Sequence, residues 1–563
     1  MTPRIAIIGS GPTGIYTFRH LLDGSRPLDV TIFEAHSEAG WGMPYAPGVN
    51  GRSMLSNIAG LEIPAVTESL VAWLHRQPDA ELARLSVPRE RITDREFFPR
   101  VVLGEYFRAQ LALLADRSRA RGDRVEIRPS HRVTDIELRE ADILVTVTRP
   151  DGGTSNLAFD HVVMATGHAF PAGSERHPGW FASPYPTSSL RAIRNVHVGI
   201  RGTSLSAIDA LVEVAGGHGA FLRDASGLLH YHPGPGTDGF RATLMSRKGL
   251  LPEADFLYPI PFGPNAVCTP EAVDALAASG RADLLDAVFD LFREELVRAD
   301  PDYAARIGLA TLDADSFADA YFREREAHDP FAWAARNLAE AQADHARGHV
   351  VPWRYAILRT HEVVARVLPH LSARDLERFH ASWKAAFVDD YASVPHESIE
   401  RLLALHRAGR LDVLRLGAGY RLDPAETGAL VTCEGRQIHF PAFIDATGQR
   451  AMAAPDLPFP TLVAQDAVRQ ARSARGSWTE DSDPVETGGV ELDEAFRPVN
   501  DLPLHRELHC LALPFLLHRH PFSQGLTSSN EMGAIVAQAI LDRMSHRLLA
   551  PAEMMAVPDG RAA

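Results

Sequence analysis

The chain has 563 residues, 45% of them hydrophobic, with 57 lysines and arginines against 72 aspartates and glutamates for a formal charge of −15. That acidic balance excludes a nonspecific nucleic-acid binder, which needs a basic surface to neutralise phosphates, and no apolar run reaches the ~18 residues of a membrane span. Cys268, Cys433 and Cys510 are the only cysteines and none is paired in spacing, which excludes a disulfide framework, a zinc site and a redox dithiol.

A strand begins within the first few residues, so no signal peptide is expected and the chain reads as cytoplasmic. Ile5-Ala6-Ile7-Ile8 runs into Gly9-Ser10-Gly11-Pro12-Thr13-Gly14, a helix is expected from Thr13 to about Leu22, and Val30-Thr31-Ile32-Phe33 ends in Glu34. This is a dinucleotide fingerprint. Gly9 permits the tight turn, Gly11 lets backbone approach a pyrophosphate, Gly14 allows close helix–strand packing, and Glu34 stands where a carboxylate takes the ribose hydroxyls.

Residues 39–45 read as a glycine-punctuated loop, and 66–76 and 101–120 as helices. Residues 125–147 read as a three-strand insertion, and 159–167 as an apolar strand ending in Ala165-Thr166-Gly167. Near residue 195 the pattern restarts: Val196–Ile200, then Arg201-Gly202-Thr203-Ser204-Leu205. With Gly202 as the middle glycine, Ile200 and Leu205 replace the first and third. The partner strand, Ala242–Ser246, ends in Arg247-Lys248, where the 2′-phosphate of NADPH would sit.

Residues 270–410 carry long helical spacings such as Phe379-Trp383-Phe387, serving equally as a substrate cover or a homodimer interface. Strands resume at Leu411–Leu414 and at 438–448, the latter ending in a second Ala-Thr-Gly, Ala446-Thr447-Gly448. Residues 522–533 open a helix over 531–545, with Ser528 and Ser529 as caps. The loop Gly40-Trp41-Gly42 after Glu34, the strand insertion at 125–147 and a C-terminal helix start returning to the first sheet together resemble two-dinucleotide flavoproteins, so the expected fold class is α/β, a two-dinucleotide-binding Rossmann-like flavoprotein. Its map is an FAD domain over 1–194, an NAD(P)H-like domain over 195–265, a helical insertion over 266–410, the rest of the FAD domain over 411–545 and a tail over 546–563. His168 and Gln449, just after the two Ala-Thr-Gly turns, are placed near a ligand. His505, His509, His518 and His520 fit no metal spacing.

Gly42-Met43-Pro44-Tyr45, Met54–Ile58, Phe97–Phe107 and Pro521–Gly533 resemble a bacterial FAD/NAD(P)-binding monooxygenase-like family. That family includes flavin-dependent L-aspartate N-monooxygenases forming nitrosuccinate, and also members of other activity, urate-like carbon hydroxylation among them. The resemblance implies FAD and NADPH as cofactors, O₂ as co-substrate and N-hydroxylation of a small amino acid through a flavin C4a-hydroperoxide, without a metal.

It also implies cofactor contacts at Gly9, Gly11, Pro12, Thr13, Gly14, Glu34, Gly42, Met43, Tyr45, Asn57, Arg100, Val133, Thr166, Gly167, Gly448, Gly525, Leu526 and Thr527. The second nucleotide would take Gly202, Thr203, Ser204, Arg247 and Lys248. An amino acid's carboxylates call for arginine, and Arg201, Arg354, Arg359 and Arg506 are the candidates. No catalytic residue is named. An oxidoreductase that does not activate O₂, a carbon hydroxylase and a noncatalytic nucleotide-binding module stay open at this point.

Overall fold

The computed structural model describes residues 2–170, 175–472, 486–502 and 507–546. Arg506, His505 and most of the tail lie outside these residues. β1 (Arg4–Ile8) leads through α1 (Pro12–Leu21) to a parallel partner, β2 (Asp29–Phe33), with Ile8 opposite Phe33. Both strands are near-continuous apolar runs because helices or loops cover each face of a parallel sheet. α2 (Arg100–Ala120) then feeds β3 (Arg124–Arg128), which extends the same sheet beside β2.

β4 (His161–Met164) pairs with the opposite edge of β1, and the strand Leu508–Cys510 closes the sheet beside β4. The expected three-strand insertion is therefore displaced. Val125–Ile127 belongs to the main sheet, and the antiparallel meander is Arg132–Leu138, Ile143–Thr148 and Thr154–Phe159. An apolar alternation of three residues carries no mark of which sheet will receive it.

The second sheet repeats the plan. β5 (His197–Arg201), α3 (Leu205–Gly216) and β6 (Arg241–Ser246) form the parallel unit, with Arg201 opposite Met245. α4 (Pro330–Arg347) and α5 (His396–Arg407) pack on this sheet, sharing a core with Ile200, Leu211 and Leu244. β7 (Leu411–Arg415) pairs with β6, and β8 (Ala442–Asp445) pairs with β5 on its other side. Both strands were expected in the C-terminal part of the first nucleotide domain, and the hydrogen bonds correct that boundary: the chain leaves the second sheet only after β8. A buried parallel strand reads the same whichever sheet it joins.

The remaining helices between residues 270 and 391 enclose a separate aromatic core around Phe289, Phe292, Phe317 and Trp383. The Phe379-Trp383-Phe387 spacing spans two helices, Ala373–Ala381 and Lys384–Tyr391, not one. The last helix, α6 (Leu526–His546), starts five residues earlier than expected, so Ser528 and Ser529 sit inside it and cap nothing. It lies against α1 closely enough that a Cβ on Gly533 would meet the Thr17 backbone nitrogen at 2.8 Å.

Candidate functional site

Each sheet reverses direction at one point: the chain moves from β1 to one side and returns on the other as β4, and likewise from β5 to β8. Ligands of open α/β sheets bind at the carboxyl ends of strands at such a switch. At the first switch Gly9 takes φ +110° and donates its N–H to the Phe33 carbonyl at 2.9 Å. A Cβ there would lie 2.2 Å from the Ala165 carbonyl oxygen, so Ala165-Thr166-Gly167 presses directly on the turn. Gly14 is equally closed, since its Cβ would meet the Gly9 carbonyl at 2.1 Å.

A cavity of about 510 Å³ opens above this turn. Of the residues assigned to the first nucleotide, Gly9, Gly11, Pro12, Thr13, Glu34, Gly42, Met43, Tyr45, Val133, Thr166, Gly167, Gly525 and Leu526 line it. Gly14, Asn57, Arg100, Gly448 and Thr527 are not on its wall. Glu34 is buried and prepositioned, accepting from Ser10 Oγ at 2.6 Å and from the His36 N–H at 2.9 Å. The oxygen facing Ser10 also accepts the Ser10 N–H at 3.3 Å, and the one facing His36 retains a further lone pair.

The lining also holds Trp41 and His168, whose Nε1 and Nδ1 are buried without hydrogen bonds. Sequence reasoning missed Trp41, Pro458, Phe459, Ser523 and Gln524 of this wall. Trp41, between two glycines, was its one legible signal. Burial, reinforced by the nearby Arg100 charge, lowers His168 to about 4, so its imidazole is neutral at pH 7.

The second turn repeats the backbone contacts of the first, which corrects its register. Gly202 takes φ +121°, donates to the Met245 carbonyl at 2.7 Å, and would place a Cβ 2.7 Å from the Ala446 carbonyl. It is the counterpart of Gly9, the first glycine, not the middle one. Ile15 donates to the Gly11 carbonyl and Ile208 to that of Ser204, each at 3.0 Å, so Ser204 matches Gly11 and Ala207 matches Gly14. Counting on from the paired Phe33 and Met245, Ser246 stands at the position of Glu34 and Arg247 follows it.

Arg247 is exposed, whereas Lys248 is bound to Glu326 and lies 3.6 Å from Asp319, so it is not a free cation. Gly448 follows β8 and belongs to this second turn. The two Ala-Thr-Gly loops touch, the Ala169 N–H donating to Gln449 Oε1 at 2.9 Å.

Arg100 joins the two nucleotide units. Its Nη2 lies 2.9 Å from Asp209 on α3, its Nε donates to the Leu55 carbonyl at 3.2 Å, and Tyr185 donates to Asp209 at 2.8 Å. Burial opposes the guanidinium charge, but Asp209 together with Tyr185 and Tyr45 outweighs it and the pKa is raised. Asp209 and Tyr185 were not anticipated; an acid within the apolar run of α3 was the visible hint.

The candidate substrate arginines are engaged elsewhere. Arg201 pairs with Asp445 at 3.1 Å, Arg354 with Glu253 at 3.1 Å and Asp390 at 3.4 Å, and Arg359 with Glu295 at 3.1 Å. None of the three lines the cavity.

Among known proteins, YdhS of Escherichia coli K12, itself uncharacterized, is 40% identical over 538 residues, covering 96% of this chain and 97% of that protein. The chain belongs to the YdhS family. Residues 269–391 match the YdhS-like middle domain and residues 6–169 match the FAD-NAD(P)-binding family. FAD and NAD(P)H are accordingly its cofactors, and the glycine cradle, the buried acid and the unpaired ring nitrogens of the first cavity fit the former.

Among solved structures, the ornithine N-hydroxylase of Kutzneria sp. 744 covers 97% of this chain and all of its own at 15% identity and a TM-score of 0.49. The ornithine hydroxylase of Pseudomonas aeruginosa covers 97% and 100% at 14% and 0.48. The bacillithiol disulfide reductase of Bacillus cereus covers 96% and 100% at 12% and 0.41. No helix among the described residues is long and apolar enough to cross a membrane.

Proposed function

We propose that the chain is an FAD- and NADPH-dependent monooxygenase that hydroxylates the amine of a small amino acid, L-aspartate being the first substrate to assay. The observation that carries the reading is the pair of matched turns, one ending in an acid and the other in an arginine. When bound, FAD accepts hydride from NADPH and activates O₂ to oxygenate a nucleophile.

The chain's own part is binding and exclusion. Gly9, Gly11 and the N-terminus of α1 would face the FAD pyrophosphate, with Glu34 on its ribose. Gly202, Thr203 and Ser204 would take the NADPH pyrophosphate, and Arg247 its 2′-phosphate, a pairing of guanidinium with phosphate. Arg100 bridges the two nucleotide units through Asp209, and residues 523 to 526 complete the wall of the cavity that would hold the flavin. His168, neutral at pH 7, adds no positive charge beside the substrate amine, which must itself be neutral to react.

All three cysteines are buried and free. Reducing equivalents therefore have no internal dithiol to reach, which supports an external acceptor such as O₂. The test is NADPH oxidation by the FAD-loaded protein in air with a panel of amino acids, products followed by mass. Substrate-stimulated oxidation with a hydroxylamine or nitro product is expected. Oxidation that yields hydrogen peroxide alone with every amino acid would overturn the reading.

A further inference from the structure

A second cavity, about 210 Å³, lies where four parts of the chain meet: Leu55, Arg91 and residues 95–97 of the first nucleotide domain, Asp255 after β6, His345 near the end of α4, and residues 395–397 at the start of α5. It shares no lining residue with the nucleotide cavity. Its size is below the ~300–1,000 Å³ of sites for drug-sized ligands, so any occupant is small.

Most of its charges cancel within the wall. Arg91 bonds to Glu96 and lies 3.6 Å from Glu397, which is also held by Arg401. Two groups remain. Arg95 has no ion pair among the described residues and spends one N–H on the Tyr258 carbonyl at 2.9 Å, which leaves most of its five donors uncommitted.

Asp255 is 8% exposed, yet its carboxylate meets only Ser393 Oγ at 3.5 Å and His345 Nε2 at 3.7 Å. That Nε2 is buried and makes no hydrogen bond. Burial, with the adjacent Glu62 charge, pushes Asp255 up to about 8. An acid so placed is costly unless a cation reaches it. The protein thus presents to the same small space a poorly solvated carboxyl that stays protonated at pH 7 until a cation reaches it, and a guanidinium without an ion pair, beside the apolar Leu55, Phe97 and Pro395.

We propose that this cavity binds a small monocarboxylic amino acid as its zwitterion, the ammonium against Asp255 and the carboxylate against Arg95. A second carboxylate on the ligand would meet Glu96 and Glu397, whose cations are already engaged, so a dicarboxylic amino acid is disfavoured. The site stands apart from the redox reading, because it is scored by binding with NADPH absent.

Calorimetric titration of the full-length, FAD-loaded protein with L-alanine, L-serine and L-aspartate tests it. L-Alanine and L-serine are expected to bind, with L-aspartate at least tenfold weaker, and Arg95→Gln and Asp255→Asn are each expected to weaken binding at least tenfold. Arg95 is exposed, so its variant should fold and is decisive alone. The proposal is overturned if neither L-alanine nor L-serine binds, if Arg95→Gln binds them as the parent does, or if L-aspartate binds as tightly and loses that binding in Arg95→Gln; L-aspartate binding that Arg95→Gln leaves intact belongs to the flavin site.

Discussion

The turns at Gly9 and Gly202 have the same backbone and opposite charge. Both glycines sit at positive φ under an Ala-Thr-Gly loop, and both donate to a carbonyl of the neighbouring strand, that of Phe33 or Met245. Where one strand delivers Glu34, braced by Ser10 and His36, the other delivers Ser246 and then an exposed arginine. The backbone of the turn is thus common to both units, and under the proposed function the residues at the end of the second strand distinguish the two nucleotides.

The largest effect that would break this symmetry comes from filling the two glycines. Gly9→Val puts side-chain atoms into the Ala165 carbonyl at a strained φ, and is expected to cost roughly 4 kcal/mol or more and to abolish bound FAD, read as the loss of flavin absorbance on purification. Gly202→Val should leave the flavin bound while slowing its anaerobic reduction by NADPH at least tenfold. Flavin loss from both variants alike would mean that the turns are not functionally distinct.

A middle-sized effect tests the join. Asp209→Asn leaves the Arg100 guanidinium buried beside a neutral amide, and breaking such a pair costs about 3–5 kcal/mol. Denaturant melts should show that loss, and it should be smaller in the Arg100→Gln, Asp209→Asn double variant than the sum of the singles. Additive losses would mean that the two groups do not act together across the nucleotide units.

The finest test exchanges the charge. Arg247→Ser is expected to raise the KM for NADPH about 10- to 100-fold, the worth of one or two charged hydrogen bonds, while leaving the KM for NADH within twofold. An equal rise for both nucleotides would remove Arg247 from 2′-phosphate recognition.

Much of this was legible along the chain. The strand-turn-helix at Gly9 was read to within a residue or two because its signal is local: a run of apolar residues, three spaced glycines and an acid. The second turn was seen but misregistered, because Ser204 and Ala207 stand where the motif's other glycines would be and only the contact with Ala446 fixes Gly202 as the first. Arg354 and Arg359 looked available for a substrate, since a sequence shows an arginine without showing Glu253 or Glu295 beside it. The second cavity left no trace in sequence, as its walls come from residues more than 300 positions apart.

The sequence by itself determined that two nucleotide units, a helical block and a dinucleotide fingerprint were present, for hydrophobic periodicity and glycine spacing are properties of neighbouring residues. Only the tertiary structure decided which sheet took β7 and β8, which arginines remained free, and how Arg100 meets Asp209. Strand partnership and charge pairing depend on long-range packing, and nothing within a dozen residues of either partner encodes it.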